Sequence, residues 1–267
     1  MPSQTPKLDF WLEPLDLRKH LQDFHELCSD EKACLWSSQP CTTGLEVSKE
    51  RLFKALTHNP ESKPWHLSCA VMSSDYVRPA PAGSNGSISN TTTETKMIGV
   101  VRTTRASTWG LSIGYKLRSD CWGKGYATRA IRAFLELYWS LLRVAPRKEL
   151  IISEARESGQ GEEGGPSASA GDLQMDQGLQ PGNGATTSAG DVAVDLGESD
   201  GDGDEVEITH LIAQVDPENV GSMRVSEKCG GRLVTVGREC VKVWRFSEMR
   251  DMAVWRFDKP SDNVESF

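Results

Sequence analysis

A chain of 267 residues, 37% of them hydrophobic, can bury one large core or two small ones. Its net charge of −8 is unevenly placed: Glu157 to Glu207 holds 13 of the 38 acidic residues and no Lys or Arg, so the rest of the chain carries +5. That modest balance suits an anionic ligand and is too small and scattered for nucleic acid, and no apolar run approaches the length of a membrane span. The seven cysteines form no CxxC pair and no zinc-type spacing with the five histidines, so no metal site is expected. The N-terminal MPSQTPKLDF lacks a charged segment followed by an apolar core. The expectation is a cytosolic or nuclear protein with reduced thiols, monomeric or homodimeric.

In chain order, Leu8 to Pro14 reads as a short strand. Asp16 can cap a helix reaching about Cys28, with Leu17, Leu21, Phe24, Leu27 and Cys28 on one face. Glu46 to Leu56 repeats the helical pattern, and Trp65 to Met72 reads as a strand. Ser73 to Thr95, rich in Ser, Asn, Gly, Pro and Thr, has the composition of a long connection. Met97 to Arg102 and Leu111 to Leu117 are the next two strands, and Leu150 to Ser153 opens a further element.

The stretch Tyr115 to Trp139 organises the rest. It reads as a strand end, a tight turn over Gly123, Lys124 and Gly125, and an amphipathic helix. Ala127, Ile131, Leu135, Tyr138 and Leu142 form its stripe, widened by Ala130, Phe134 and Leu141. Glycines let a ligand approach the backbone, and a helix beginning there offers free N–H groups and a positive dipole end. Such a turn can hold a phosphate. The same glycines could also serve only to make a tight connection.

Glu157 to Glu207 contains 12 of the 24 glycines and almost no large apolar residues, so it is expected to be a disordered acidic insertion. It is a tolerated surface expansion or, alternatively, a charged docking or phosphorylation segment. Ile208 to Val215 resumes as a buried strand. In DPENVGSMRVSEKCGGRL, Asp216 is the expected N-cap, Pro217 fits the first helical turn and Gly230–Gly231 ends the helix. Leu233 to Val236, Val241 to Phe246 and Ala253 to Phe257 read as closing strands. The element order implies an α/β or α+β sheet layer covered by helices.

Two blocks carry a resemblance. Trp122-Gly123-Lys124-Gly125-Tyr126-Ala127 resembles the acyl-CoA turn, Q/R-x-x-G-x-G/A, of the GNAT acetyltransferase superfamily. Trp122 in place of Gln or Arg is the form found in its RimJ/RimL-like branch. Pro217-Glu218-Asn219-Val220-Gly221-Ser222 through Glu227-Lys228-Cys229-Gly230 resembles the P-x-N-x-x-S…E-K-x-G signature. The resemblance covers about 8–155 and 207–258. It implies a single domain over 8–258, interrupted by 157–207, with a twisted, mostly antiparallel mixed sheet.

The resemblance further implies acetyl-CoA as acyl donor and an amine acceptor. Leu117 and Arg118 would end the strand whose splay from 208–215 opens a pantetheine slot. Backbone groups from Trp122 through Gly123, Lys124, Gly125, Tyr126 and Ala127 to Thr128 would hold the pyrophosphate, with Lys124 and Arg129 adding charge or lying solvated. Asn219 would orient the pantetheine amide or simply cap a helix, and Ser222 would approach the thiol end. The implied chemistry is direct attack by a primary amine. The proton carriers are less legible: Leu111 to Leu117 has no carboxylate and residues 223–267 no tyrosine, where many members of the family have one. That leaves His210 and Ser222 as catalytic candidates, with Asp120 as a base or a turn residue. The alternative is the same fold and coenzyme site with catalysis lost, acting as an acyl-CoA-binding scaffold.

Overall fold

The computed structural model describes residues 9–57, 63–78, 93–150 and 205–260. In chain order these form β1 (Phe10–Pro14), α1 (Leu17–Ser29), α2 (Leu45–Thr57), β2 (Ser68–Val77), β3 (Thr93–Ser107), β4 (Gly110–Leu117), α3 (Tyr126–Trp139), β5 (Val144–Pro146), β6 (Glu205–Glu207), β7 (His210–Val215), α4 (Val220–Lys228), β8 (Arg232–Val241) and β9 (Arg250–Asp258). Seven strands make one sheet in the order β1-β2-β3-β4-β7-β9-β8, and β5 pairs with β6 separately. Every neighbour in the large sheet is antiparallel except β4 and β7, which are parallel. The expected mixed, mostly antiparallel sheet flanked by helices is the observed fold.

The period-two alternation of the strands divides the core in two. Cys69, Val71, Val101, Leu111, Ile113 and Leu117 face Ala130, Ile131, Phe134 and Tyr138 of α3. Ala70, Met72 and Val100 face Phe24, Leu27 and Cys28 of α1 and Leu52 and Ala55 of α2. The sheet therefore carries α3 on one side and the α1–α2 pair on the other. α1 is capped as expected, Asp16 accepting from the Lys19 amide at 2.7 Å.

Several boundaries differ from the sequence reading. α3 ends at Trp139, and Leu141 and Leu142 lie beyond it, 63% and 69% exposed. There the Arg143 side chain takes over the helix end, donating to the Tyr138 carbonyl at 3.0 Å and stacking on its ring. β2 begins at Ser68, after a turn at Pro64–Trp65, and β3 runs on to Ser107.

Asp216 does not cap α4. Its carboxylate accepts from the Glu218 amide and pairs with Arg250, while Asn219 is the cap and Pro217 precedes the helix. Val241 to Phe246 is not a third closing strand. Past Val241 the chain turns, so that Trp244 donates to the Cys34 carbonyl at 2.8 Å and Phe246 lies 6.0 Å from the Trp36 ring. Of the expected insertion, 205–207 is strand β6, paired with β5. Residues 157–204, the element expected over 151–153 and most of the connection over 73–95 lie outside the described residues.

Candidate active site

β4 and β7 share only two registered positions, Leu111↔Leu211 and Ser112↔Ile212. Beyond them the strands run on to Leu117 and Val215 without pairing, so a slot opens inside the sheet at their carboxyl ends. This is the kind of crevice in which α/β sheets bind ligands. α3 begins at one end of it, and α4 follows β7 at the other wall.

Past Leu117 the chain turns through Ser119–Cys121, and the Trp122 amide is spent on the Ser119 carbonyl at 3.2 Å. The expected cradle therefore starts one residue later than the sequence motif. The first internal bond of α3 is Arg129 N–H to the Gly125 carbonyl at 3.1 Å. Between these two bonds, the N–H groups of Gly123, Lys124, Gly125, Tyr126, Ala127 and Thr128 meet no acceptor among the described residues. Gly123 and Gly125 hold φ of +75° and +81°, which side chains resist, and a Cβ at either would meet nothing within 4 Å. An open array of six donors at the positive end of a 14-residue helix fits a pyrophosphate.

The side chains beside this array are engaged elsewhere. Arg118 pairs with Glu26 at 2.6 Å and Asp120 at 3.1 Å, and donates to the Tyr76 hydroxyl at 2.9 Å. Its own amide donates to the Ile98 carbonyl and its carbonyl accepts from Cys121, so Arg118 is a structural clamp. Burial pushes the Asp120 carboxyl up, but the Arg118 and Tyr76 hydrogen bonds outweigh it and hold the carboxyl below its ordinary range. A carboxylate so held is a poor base. Burial and Asp120 push the Cys121 thiol up to about 12, so it stays protonated. Arg129 is forked onto Asp9 at 2.8 and 3.1 Å and lies over Phe10, leaving Lys124 as the exposed cation of the turn. The Trp122 indole donates to the Leu117 carbonyl at 3.1 Å, which pins the turn to the end of β4.

Across the slot, Asn219 Oδ1 accepts from the Ser222 amide at 3.1 Å, the capping bond expected as the alternative to its coenzyme role, and its Nδ2 meets no acceptor among the described residues. Ser222 Oγ lies 2.9 Å from the Tyr115 hydroxyl. This pair, 107 residues apart in sequence, joins β4 to α4. Burial raises the Tyr115 phenol above its ordinary value. Tyr115 was not singled out from the sequence, although it is the one polar tip among the residues that β4 turns toward α3. His210 is not brought to this place. It opens β7 at the closed, paired end of the slot, its Nε2 3.1 Å from the Trp109 carbonyl, and burial lowers its pKa.

An acetyltransferase (GNAT) domain model matches residues 9–157, more than half of the chain. The chain belongs to the GNAT acetyltransferase family. Its fold is similar to that of the spermidine N-acetyltransferase from Vibrio cholerae, solved with CoA and spermine (11% identity, 94% of this chain and 96% of that one, TM-score 0.52). It is similar in the same way to the microcin C7 self immunity acetyltransferase MccE, solved with acetyl-CoA and AMP (14% identity, 95% and 97%, TM-score 0.53). A third is the Salmonella typhimurium enzyme that modifies the N-terminal serine of ribosomal protein L7/L12 (11% identity, 94% and 95%, TM-score 0.53). None of the curated proteins matches the chain. Among the described residues no helix is long and apolar enough to cross a membrane, and no group of metal-binding side chains is present.

Proposed function

We propose that this GNAT protein is an acetyl-CoA-dependent N-acetyltransferase, with 8–258 as one domain, that transfers the acetyl group to a primary amine by direct attack. The observation carrying this reading is the run of six N–H groups, Gly123 to Thr128, that meet no acceptor among the described residues, beside the slot between β4 and β7. Those donors bind the pyrophosphate, and the unpaired edge of β4 beyond Ser112 offers ladder groups to an extended amide-bearing arm. Asn219 presents its Nδ2 to that arm while its Oδ1 holds the helix cap. The bound coenzyme supplies the activated thioester.

Tyr115 and Ser222 act at the proton end. A phenol raised by burial keeps its proton at neutral pH and is suited to donate to a leaving thiolate. With Asp120 clamped and His210 at the wrong end of β7, the attacking amine loses its proton to solvent at the slot mouth. The acetyltransferases of similar fold act on a polyamine and on a protein N-terminus, which supports an amine acceptor here.

The test is calorimetric titration of the purified chain with acetyl-CoA and CoA, repeated with Gly125→Glu. Saturable binding that disappears in the variant is expected. A well-folded wild-type chain that binds neither compound removes the coenzyme reading altogether.

A further inference from the structure

The α1–α2 side of β4 carries an unusual set of residues. By strand alternation Ser112, Gly114 and Lys116 point to this side, with Arg102 of β3 in register with Gly114, and Val100 with Lys116. Arg102 and Lys116 are thus diagonal neighbours about 7 Å apart along the sheet. Gly114 leaves the space between them without a side chain; a Cβ there would touch only Thr104, at 3.5 Å.

Two members of this set lack partners. The Arg102 side chain makes no hydrogen bond or ion pair among the described residues. Ser112, 4% exposed, carries the one buried side-chain oxygen among the described residues without a hydrogen bond. Nearby cations are no better balanced. Lys116 Nζ meets the Cys34 thiol at 3.4 Å, and Arg51, on α2, meets the Pro40 carbonyl at 3.0 Å and the Cys28 thiol. No carboxylate pairs with any of the three among the described residues. Burial lowers the Arg102 pKa, with only the Cys28 thiol acting against it.

Recessed, unpaired cations and an unsatisfied hydroxyl are costly unless something anionic joins them. The place matters too. Gly114 lies two residues past the last β4–β7 pairing, opposite Gln214 on the other lip of the slot and on the sheet face away from α3. We propose that Arg102, Lys116 and Ser112 form a carboxylate subsite for the acceptor, which is an amine bearing a carboxylate on the same amino acid or on the first residue of a peptide. The inference rests on the acetyltransferase reading for the amine, while the carboxylate subsite stands on its own residues. The planar guanidinium of Arg102 suits a carboxylate, and Ser112 donates the third hydrogen bond. A polyammonium acceptor is disfavoured, since its second charge would meet Arg102 and Lys116.

The experiment has two arms. In the first, L-glutamate is titrated calorimetrically into the coenzyme-free chain and into Arg102→Gln. Saturable binding weakened at least tenfold in the variant is expected, and this readout does not depend on acetyl transfer. In the second, acetylation of L-glutamate, a Glu-Ala peptide, their neutral amide counterparts and spermidine is followed by mass spectrometry. Carboxylate acceptors should lead by tenfold or more. Arg102→Gln should lose that lead through KM, with kcat and coenzyme affinity unchanged. Turnover of the free amino acid or of the peptide identifies the source, and either supports the subsite. Equal use of acid and amide, preference for spermidine, or glutamate binding unchanged in the variant would overturn it. Lys116→Gln repeats both arms should Arg102→Gln not fold.

Discussion

Arg118 to Cys121 and Gly123 to Thr128 are successive stretches of one turn, treated in opposite ways. In the first, Arg118 satisfies two carboxylates, a phenol and both of its own backbone groups. In the second, six N–H groups in a row have no acceptor among the described residues. The contrast is a division of labour. Donors left open in solution would sample many conformations, and a saturated anchor immediately before them removes that freedom ahead of ligand arrival. The Trp122 indole completes the anchor by holding the Leu117 carbonyl.

Substitutions on the two sides should therefore fail differently. Arg118→Gln leaves Glu26 and Asp120 without their shared cation and should cost about 3 kcal/mol of stability, measured by urea denaturation, with coenzyme affinity falling only as a consequence. Gly125→Glu should cost only ~1 kcal/mol for a side chain at positive φ. Its coenzyme affinity should nevertheless fall on the order of a hundredfold, because a repelling carboxylate replaces charge-assisted bonds. If the two variants show the same ratio of stability to binding loss, the division is wrong.

The anchor has a pH signature as well. Asp120 and Glu26 have folded pKa values lowered from 3.8 and 4.5, by their cation partners acting against burial. A depressed carboxylate contributes stability that is complete above its ordinary value and lost as pH falls through the lowered one. Wild type should lose stability below about pH 4.5 more steeply than Arg118→Gln.

A smaller effect tests the far end of the slot. Tyr115→Phe keeps the ring but removes the hydroxyl facing Ser222, so kcat should fall on the order of tenfold to a hundredfold. Coenzyme affinity should hold. Because the phenol is raised above its ordinary value of 10.0, no loss of rate from its ionisation is expected below that pH. Unchanged kcat would demote the Tyr115–Ser222 bond to packing.

What was legible in the sequence was local. The glycine turn, the apolar stripe of α3 as far as Tyr138 and the Asp16 cap depend on residues within one or two turns of each other, and each appears where its spacing put it. The misread features answer to distant partners. Asp216 and Asn219 are both good caps three residues apart, and Arg250, 34 positions on, decides between them by claiming Asp216. Val241 to Phe246 has the Val, Trp and Phe content of a strand, yet its aromatics are used against Cys34 and Trp36. Tyr115 and Ser222 lie on separate motifs that only the folded slot joins. Arg102 carried no signal at all, because an unpaired cation is visible only once its surroundings are known.

The least effect should come from the acidic segment, and here topology supplies the argument. β5 and β6 stand on either side of it and pair antiparallel, Pro146 facing Glu205. The two ends of the segment are thus held at adjacent points, and the length between them is expected to enter stability chiefly through loop closure. Each doubling of a loop costs only about 0.6 kcal/mol. Removing 160–204 shortens the connection roughly fourfold and should raise stability by about 1.2 kcal/mol, with coenzyme affinity unchanged. Thermal melting and calorimetry on the shortened chain measure both. Loss of cooperative unfolding would show that the segment helps build the fold, and weakened binding would extend the ligand site beyond the open turn and its anchor.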